Sequence, residues 1–368
     1  MMRAIYPLLI ALGALVVNGA RVSPPSVSTA GADDHQRWQA DGWRHQTLGT
    51  DGATGRRSES NAPARQKSNA VKWVAPLTPD GQPDLQGVWV NNSATPLERP
   101  KQLEGRPRLT DEEVVELQRR ADRIFGTSAS DAGLGDGVFL AALANVERNV
   151  DPRATANATD QERREFNSQT SVVVDPPDGK IPYTAQGQAR LAALLRSRLE
   201  PPTDPEALAN EVRCLTYEVP RLRGGNLTYL QILQSPGYVV LLMESIHEVR
   251  IIPLQAGPHL SPRIRRWSGD SRGHWEGQTL VVDTTNFTPL NNVFGSGENL
   301  HLVERFTRTG PSIIDYTITL EDPTAWTRPW TAAVPLKRTS QQIYEVACHE
   351  GDYAIIGILK GARAEEQR

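Results

Sequence analysis

Histidines are concentrated in the C-terminal part of this chain of 368 residues. Histidine titrates near neutral pH without help from its surroundings, and it is also the commonest metal ligand in proteins. We therefore predict that the chemistry of the protein is located in this part of the chain. The histidines that fall there are His247, His259, His274, His301 and His349.

The segment MESIHEVRIIPL, residues 243–254, is predicted as one strand that carries part of the site. Side chains alternate between the two faces of a strand, so His247 and Glu248 would point in opposite directions, whereas Glu248 and Arg250 could pair. Arg250 would then hold an anionic group or a developing negative charge. The alternative interpretation is an ion-pair ladder outside the sheet, with His247 as a hydrogen-bonded core residue. The sequence does not decide which face is interior.

The densest polar stretch is GDSRGHWEG, residues 269–277. Its glycines allow sharp backbone bends, so one loop could bring Asp270 and Glu276 to the rim of a cleft. His259 precedes this stretch and could supply the imidazole of the same site. The alternative interpretation is an ordinary glycine hairpin in which Asp270 bonds the local backbone.

His349 and Glu350, in the segment CHEGDY at 348–353, complete the polar candidates. They end the last predicted strand, where the backbone can turn and bring both side chains to the same rim. No pair of histidines has the HxH or HxxxH spacing that identifies a metal site, so no cofactor is predicted and a bound divalent metal is the less favoured alternative. The sequence also lacks GxSxG, Walker, CxxC and dinucleotide-binding motifs.

Two classes of function fit these residues. The first is an exported enzyme that uses acid–base chemistry, a hydrolase or a lyase, and the second is a non-catalytic protein that binds a small molecule or a glycan. An enzyme requires its histidine, arginine and acid side chains to converge in one cleft. We favour the enzyme, and expect alanine at His247 or Arg250 to abolish function while changing stability by less than about 2 kcal/mol. The candidate site residues are His247, Arg250, His259, Asp270, Glu276, His349 and Glu350.

An antiparallel β domain, residues 225–368, is predicted to position these residues. Short β-branched or alternating runs recur there between turn signals such as Ser235-Pro236-Gly237 and Thr309-Gly310-Pro311, as is typical of half-buried strands. Such a series predicts a β-barrel or a β-sandwich, with a lipocalin-like barrel among the alternatives. A C-terminal helix would close one end. The chain is thus expected to be mainly β with helical additions, the α+β class.

Residues 71–224 are predicted to form a collar of helices and loops that precedes the β domain. The clearest helix covers residues 110–125, where Thr110 and Glu113 form a capping box and apolar residues recur on one face. A second helix is predicted to begin after Thr184, which serves as its N-cap.

The N-terminus has the features of an export signal. Arg3 precedes an apolar run that ends in small residues near residue 20, as in a cleaved signal peptide at residues 1–20. A membrane anchor is the alternative, but the run is short and contains Pro7. Residues 21–70 are rich in small and polar residues and are predicted to be a disordered linker. We therefore expect a periplasmic or secreted protein with no stable membrane insertion after cleavage.

The charge of the chain bears on its binding partners, and its cysteines bear on a possible disulfide. The formal net charge is −3, and the basic residues are scattered along the chain. A nucleic-acid surface would need a basic patch or stripe, so no nucleic-acid partner is expected. Cys214 and Cys348 are the two cysteines and allow one intramolecular pairing. A disulfide and two buried thiols are both open at this point.

The chain contains several longer motifs: GDSRGHWEGQTLVVDTTNF, ENLHLVERF, DPTAWTRPWTA and CHEGDYAI. In these the chain resembles a large family of exported bacterial proteins commonly labelled hypothetical, in patches from about residue 78 to residue 366. It departs at RCLTYEVPR, where a Pro- or Gly-rich turn is usual after the cysteine, and at Asp352, where Asn is usual. The resemblance implies no activity, but it concentrates on polar loop and strand residues and so gives the candidate segments more weight.

Overall fold

The computed structural model describes residues 73–125, 135–146, 164–198, 200–217, 219–225, 227–255, 257–291, 293–350 and 352–367. The predicted signal peptide and the predicted linker lie outside these described residues. The described chain belongs to the compact unit that spans Asn69–Arg368. Within the described ranges, no helix combines the length and the apolar character needed to cross a bilayer.

The described chain is mainly antiparallel β-sheet with added helices, which confirms the predicted α+β class. Its helices are α1 (Asp111–Phe125), α2 (Gly135–Ala144), α3 (Ala185–Ser197) and α4 (Ala354–Glu366). Its strands are β1 (Gly87–Val90), β2 (Val173–Asp175), β3 (Tyr229–Ser235), β4 (Tyr238–Met243), β5 (Val249–Pro253), β6 (Asp270–Glu276), β7 (Thr279–Thr285), β8 (His301–Gly310), β9 (Ile313–Glu321) and β10 (Trp330–Thr339).

All of these strands belong to one sheet, in the order β5-β4-β3-β1-β10-β9-β8-β7-β6, with β2 added to β10. β1 pairs with β3 on one side and with β10 on the other, so the segment before residue 225 supplies a central strand of the sheet. The outer strands β5 and β6 meet at an isolated parallel bridge between Leu254 and Gly273. The ladder does not continue between them, which leaves an open seam rather than a closed barrel.

The main hydrophobic core lies on one face of this sheet. Alternation is clear in β8, where Leu302, Glu304 and Phe306 are buried and the residues between them are half-buried. The indoles of Trp89 and Trp330 are completely buried in the same core. Because Glu304 shares the apolar face, its carboxylate must find a partner inside the core.

Helices α1 and α3 begin where their capping signals predict. Glu113 N–H donates to Thr110 Oγ1 at 3.2 Å, and Thr110 N–H donates to Glu113 Oε2 at 2.8 Å, which completes the capping box. At the start of α3, Gly187 N–H donates to the Thr184 hydroxyl oxygen. The sequence does not predict α2, because GDGVFLAALA has apolar residues on every side and no single apolar face. It packs against α1 around a second, smaller core.

Three local predictions are wrong. Residues 243–254 are not one strand, because β4 ends at Met243, a 3₁₀ turn follows at Ser245–His247 and β5 begins at Val249. Ile246 adopts a φ of 54° in this turn, so the chain reverses there without the Gly or Pro that would signal it. The polar stretch 269–277 is not a loop but contains β6, which pairs along its length with β7. Residues 341–350 form no strand, so the last strand of the sheet is β10.

Cys214 and Cys348 form a disulfide, with their Cα atoms 5.8 Å apart and a sequence separation of 134. The bridge ties the segment before β3 to the irregular segment after β10. It therefore anchors the C-terminal part of the chain, including α4, to the segment that leads into the sheet.

Candidate functional site

A cleft of about 530 Å³ lies at the seam. Its lining residues in β5 and β6 come before Leu254 and Gly273, the two residues that form the bridge. We call it the seam cleft. It is lined by β5, by residues of the segment 260–269 and by the start of β6. Its volume falls in the range of small-molecule sites, roughly 300–1,000 Å³.

One wall of the seam cleft is an exposed apolar edge. Ile251 is 64% exposed and Val249 is 51% exposed, and both alternate along β5 with the buried Arg250. Tyr238, at the start of β4, is 48% exposed beside them. Apolar side chains gathered at an unpaired strand edge mark an interaction surface more often than isolated exposed residues do.

Arg250 spans the seam from the inside. It is 7% exposed and forms a two-pronged ion pair with Glu304, with Nη2–Oε2 and Nη1–Oε1 distances of 2.5 and 3.0 Å. Nη2 also donates to Ser271 Oγ at 3.0 Å and to Thr284 Oγ1 at 3.1 Å. These contacts link β5 to β6, β7 and β8. The anionic group that the sequence led us to expect on Arg250 is therefore a carboxylate of the protein itself.

Tyr316 completes this buried network. Its hydroxyl donates to Glu304 Oε1 at 2.5 Å. Burial raises the pKa of Tyr316 well above its ordinary value, so the phenol keeps its proton and acts as a donor. Arg250, Glu304 and Tyr316 border an interior cavity of about 40 Å³, room for roughly two or three waters. Within the described part of the chain, the buried Nε of Arg250 has no hydrogen-bond partner.

A second network lies on the outer face of the same strands and begins at Asp270. Asp270 Oδ2 accepts the N–H of Leu260 at 3.0 Å and lies 3.1 Å from His259 Nδ1, while Oδ1 accepts Arg272 Nη1 at 2.9 Å. Burial alone would raise the pKa of Asp270, but these three donors together lower it. Asp270 is thus held as a carboxylate, and it fixes the His259 ring beside the seam cleft.

This outer network continues through Asp283 to β8 and β9. His259 Nε2 lies 2.7 Å from Asp283 Oδ1, and His301 Nε2 lies 2.8 Å from Asp283 Oδ2. His301 Nδ1 lies 3.7 Å from Glu321 Oε2. The hydrogen bond with His301 lowers the pKa of Asp283, and the same bond raises the pKa of His301. We call the alternating series Asp270, His259, Asp283, His301 and Glu321 the histidine–carboxylate chain.

The structure brings together only some of the predicted site residues. Arg250 and Asp270 line the seam cleft, and His259 contacts Asp270. Glu276 lies at the other end of β6, where it contacts His274 at 3.1 Å and Arg305 at 2.6 Å. Six residues of strand at about 3.4 Å each place it about 20 Å from Asp270.

His349, Glu350 and His247 do not contribute described contacts to the seam cleft. His349 and Glu350 are exposed and follow Cys348 in the irregular segment after β10. Among the described side chains, neither of them hydrogen-bonds to a residue of the cleft. The backbone of His247 lies in the 3₁₀ turn before β5, and its side chain lies outside what the structure describes.

Several residues of these networks are absent from the predicted site, among them Glu304, Asp283 and His301. The sequence pattern could have identified Glu304, because alternation in LVERF places its carboxylate between two core side chains. The pattern around Asp283 and His301 is less informative, since both residues simply fall on the polar face of their strands. The pairing that brings them together depends on which strands are neighbours, and sequence patterns do not give that.

Comparison with protein-family models, with curated proteins and with solved structures finds no match to this chain. The resemblance to exported bacterial proteins stays a prediction, and the candidate site stands on its own geometry.

Proposed function

We propose that the protein binds a small organic anion with an apolar body in the seam cleft. The observation that carries this proposal is an exposed apolar edge placed opposite an uncompensated positive charge. Arg250 is neutralised by Glu304 and Arg272 by Asp270. Arg266 also lines the cleft, and its exposed guanidinium makes no ion pair with any described carboxylate. A carboxylate or sulfonate on an apolar body would match both walls.

A second candidate function is the acid–base chemistry of a hydrolase or a lyase. The observation that favours it is the contact between His259 and Asp270, because Asp270 also lines the cleft. A general base needs a ring nitrogen within hydrogen-bond reach of the substrate. Both nitrogens of His259 already contact carboxylates. We therefore rank binding ahead of catalysis.

Calorimetric titration with dodecanoate tests the binding proposal, with dodecanol as the uncharged counterpart. We expect dodecanoate to bind and dodecanol to bind at least tenfold more weakly. Arg266→Ala should weaken dodecanoate by roughly tenfold or more, since a hydrogen bond to a charged group contributes about 1.5–3 kcal/mol. Arg263→Ala is the matched control, because Arg263 is exposed in the same segment but does not line the cleft. The proposal would be overturned if dodecanoate and dodecanol bound equally well, or if the two arginine variants had equal effects. Binding of maltooligosaccharides alone would also overturn it.

Chromogenic acyl esters test the catalytic candidate. A general acid or base contributes about 10²–10⁴ to a rate, so His259→Ala should lower any hydrolysis by at least about 100-fold. His274→Ala, which removes an exposed histidine that also contacts a carboxylate, should leave the rate unchanged. A rate that is the same in both variants and in the wild type would exclude His259 from the chemistry.

We further propose that the protein acts in the periplasm or outside the cell. The disulfide supports this location, because disulfides persist in oxidising compartments. N-terminal sequencing of the exported protein should find a new terminus near residue 20, and an intact Met1 in a membrane fraction would contradict the proposal. In the ligand-bound protein we propose a lipocalin-like barrel, in which the ligand spans the seam between β5 and β6.

A further inference from the structure

The centre of the histidine–carboxylate chain has the donor set of a metal site. Two imidazole nitrogens, His259 Nε2 and His301 Nε2, approach the two oxygens of one carboxylate, Asp283, at 2.7 and 2.8 Å. Each ring has its other nitrogen turned to a second carboxylate: Nδ1 of His259 lies 3.1 Å from Asp270, and Nδ1 of His301 lies 3.7 Å from Glu321. A carboxylate behind the imidazole is the usual support of a metal-bound histidine, because it fixes the tautomer and orients the ring.

The contact between His259 and Asp283 requires a proton or a cation between the two groups. Asp270 is buried and already accepts the N–H of Leu260 and a guanidinium hydrogen of Arg272. It is therefore an acceptor, and Nδ1 of His259 must be the donor to it. A neutral His259 ring then directs a nitrogen lone pair at a carboxylate oxygen, which is repulsive unless a proton or a cation lies between them. His301 differs, because its Nδ1 lies 3.7 Å from Glu321 and its neutral Nε2–H tautomer can donate to Asp283.

We propose that His259, Asp283 and His301 bind a divalent transition metal, with Zn²⁺ as the best match to two imidazoles and one carboxylate. One Zn²⁺ would supply the positive charge that an additional proton on His259 otherwise supplies. Three protein ligands leave a fourth position open to water or to an exogenous ligand. The site lies on the outer face of β7 and β8, and its support residue Asp270 also lines the seam cleft. It does not depend on the proposed anion ligand.

The two rings must draw together to surround a metal, because His259, Asp283 and His301 do not yet present one ligand atom each within 4.8 Å of one another. Zinc–ligand distances of about 2.1 Å in a tetrahedral site place neighbouring ligand atoms about 3.4 Å apart. The two nitrogen–oxygen contacts would therefore lengthen by less than about 1 Å. The Nε2 atoms of His259 and His301, which now lie beside different oxygens of Asp283, would have to move toward each other. His259 and His301 can make this movement, since their side chains are 27% and 34% exposed. Among the described residues, three ligand atoms already lie within 4.8 Å of one another at Cys214, Cys348 and Asp352, but there the two sulfurs are bonded to each other.

The site is tested by calorimetric titration with Zn²⁺. The protein is the metal-free, untagged mature chain with its disulfide intact. The absorption spectrum of bound Co²⁺ reports the coordination. We expect one Zn²⁺ at this site, with a dissociation constant in the micromolar range or below. His301→Ala and Asp283→Asn should each weaken it at least tenfold. Asp270→Asn acts on a positioning residue, so it should weaken Zn²⁺ by roughly 10–100-fold and alter the Co²⁺ spectrum without removing a ligand.

His274→Ala is the matched control. It removes an exposed histidine that contacts a carboxylate, Glu276, at 3.1 Å on the same face of the sheet, and it should leave Zn²⁺ affinity unchanged. Asp283→Asn is nearly isosteric, so it reports on the site even if an alanine variant fails to fold. Absence of Zn²⁺ uptake by the wild type, or an affinity that is the same in wild type, His301→Ala and Asp283→Asn, overturns the proposal.

Discussion

Replacing Glu304 by glutamine should destabilise the fold severely. Glu304 is 1% exposed and Arg250 is 7% exposed, so the E304Q variant would leave the guanidinium buried without the carboxylate that pairs with it. Breaking a buried ion pair in this way costs about 3–5 kcal/mol. Since 1 kcal/mol shifts Tm by about 2–4 °C in a domain of 150–250 residues, Tm should fall by roughly 6–20 °C. The same reasoning revises the sequence-based expectation for Arg250→Ala, whose cost should also exceed 2 kcal/mol.

Removal of both charges should recover most of this loss. The R250M/E304L double variant leaves no unpaired charge, and apolar replacements of buried ion pairs are often neutral or stabilising. We expect it to exceed E304Q in free energy of unfolding by at least about 2 kcal/mol. Glu276→Gln provides the matched single change, because Glu276 forms an exposed pair with Arg305. It should leave Tm nearly unchanged.

Equilibrium urea denaturation, followed by tryptophan fluorescence with the disulfide intact, measures these differences. An E304Q variant within about 1 kcal/mol of the wild type would refute the argument, because a buried unpaired guanidinium cannot be so inexpensive in free energy. A double variant as unstable as E304Q would show that packing, and not charge, governs the site.

Three further predictions concern the disulfide, a helix cap and a half-buried acid. Replacing Cys214 and Cys348 by serine should lower stability by about 2–5 kcal/mol, measured by urea denaturation against the oxidised wild type, and an unchanged midpoint would contradict it. Thr184→Ala should cost about 1 kcal/mol in the same assay, because its hydroxyl oxygen accepts the N–H of Gly187 at the start of α3; no loss would show that α3 does not depend on this cap. Burial raises the pKa of Glu248, so its favourable contribution is complete below its unfolded pKa, about 4.3, and is lost as pH rises through the folded value. The free energy of unfolding of Glu248→Gln, measured against pH, should therefore rise relative to that of the wild type as pH increases above about 4.3. A difference between the two proteins that does not change with pH would contradict this.

Local patterns in the sequence predicted the elements whose causes are local. The capping box at Thr110 and Glu113 and the alternation within β8 and β9 depend on residues a few positions apart, and these elements form as expected. The reversal between β4 and β5 could not be predicted in this way, because Ile246 adopts a positive φ that glycine usually provides. The pairing of β1 with β10 was equally inaccessible, since Trp89 and Arg338 are partners from opposite ends of the described chain.

The candidate site was predictable only in its residue types. Arg250, His259 and Asp270 were selected as polar residues in β-rich segments, and the structure places them near one another. Their roles follow from faces and neighbours instead. Asp270 and Ser271 are adjacent in β6, yet Asp270 contacts His259 in the outer network while Ser271 accepts from Arg250 in the inner one. Which of two alternating faces is interior depends on the sheet as a whole.

The way Arg250 is held makes the seam a better ligand site than the interior of the sheet. The interior cavity of about 40 Å³ holds roughly two or three waters, and a ligand anion there would compete with Glu304 for the guanidinium. That competition would break a buried pair, at a cost of about 3–5 kcal/mol. At the seam, the proposed anion would meet Arg266 without displacing any described carboxylate, and its apolar body would cover the exposed side chains of Val249 and Ile251. Binding at the seam would therefore add contacts between two edges that the ladder leaves unconnected and would break none of the described ion pairs around them.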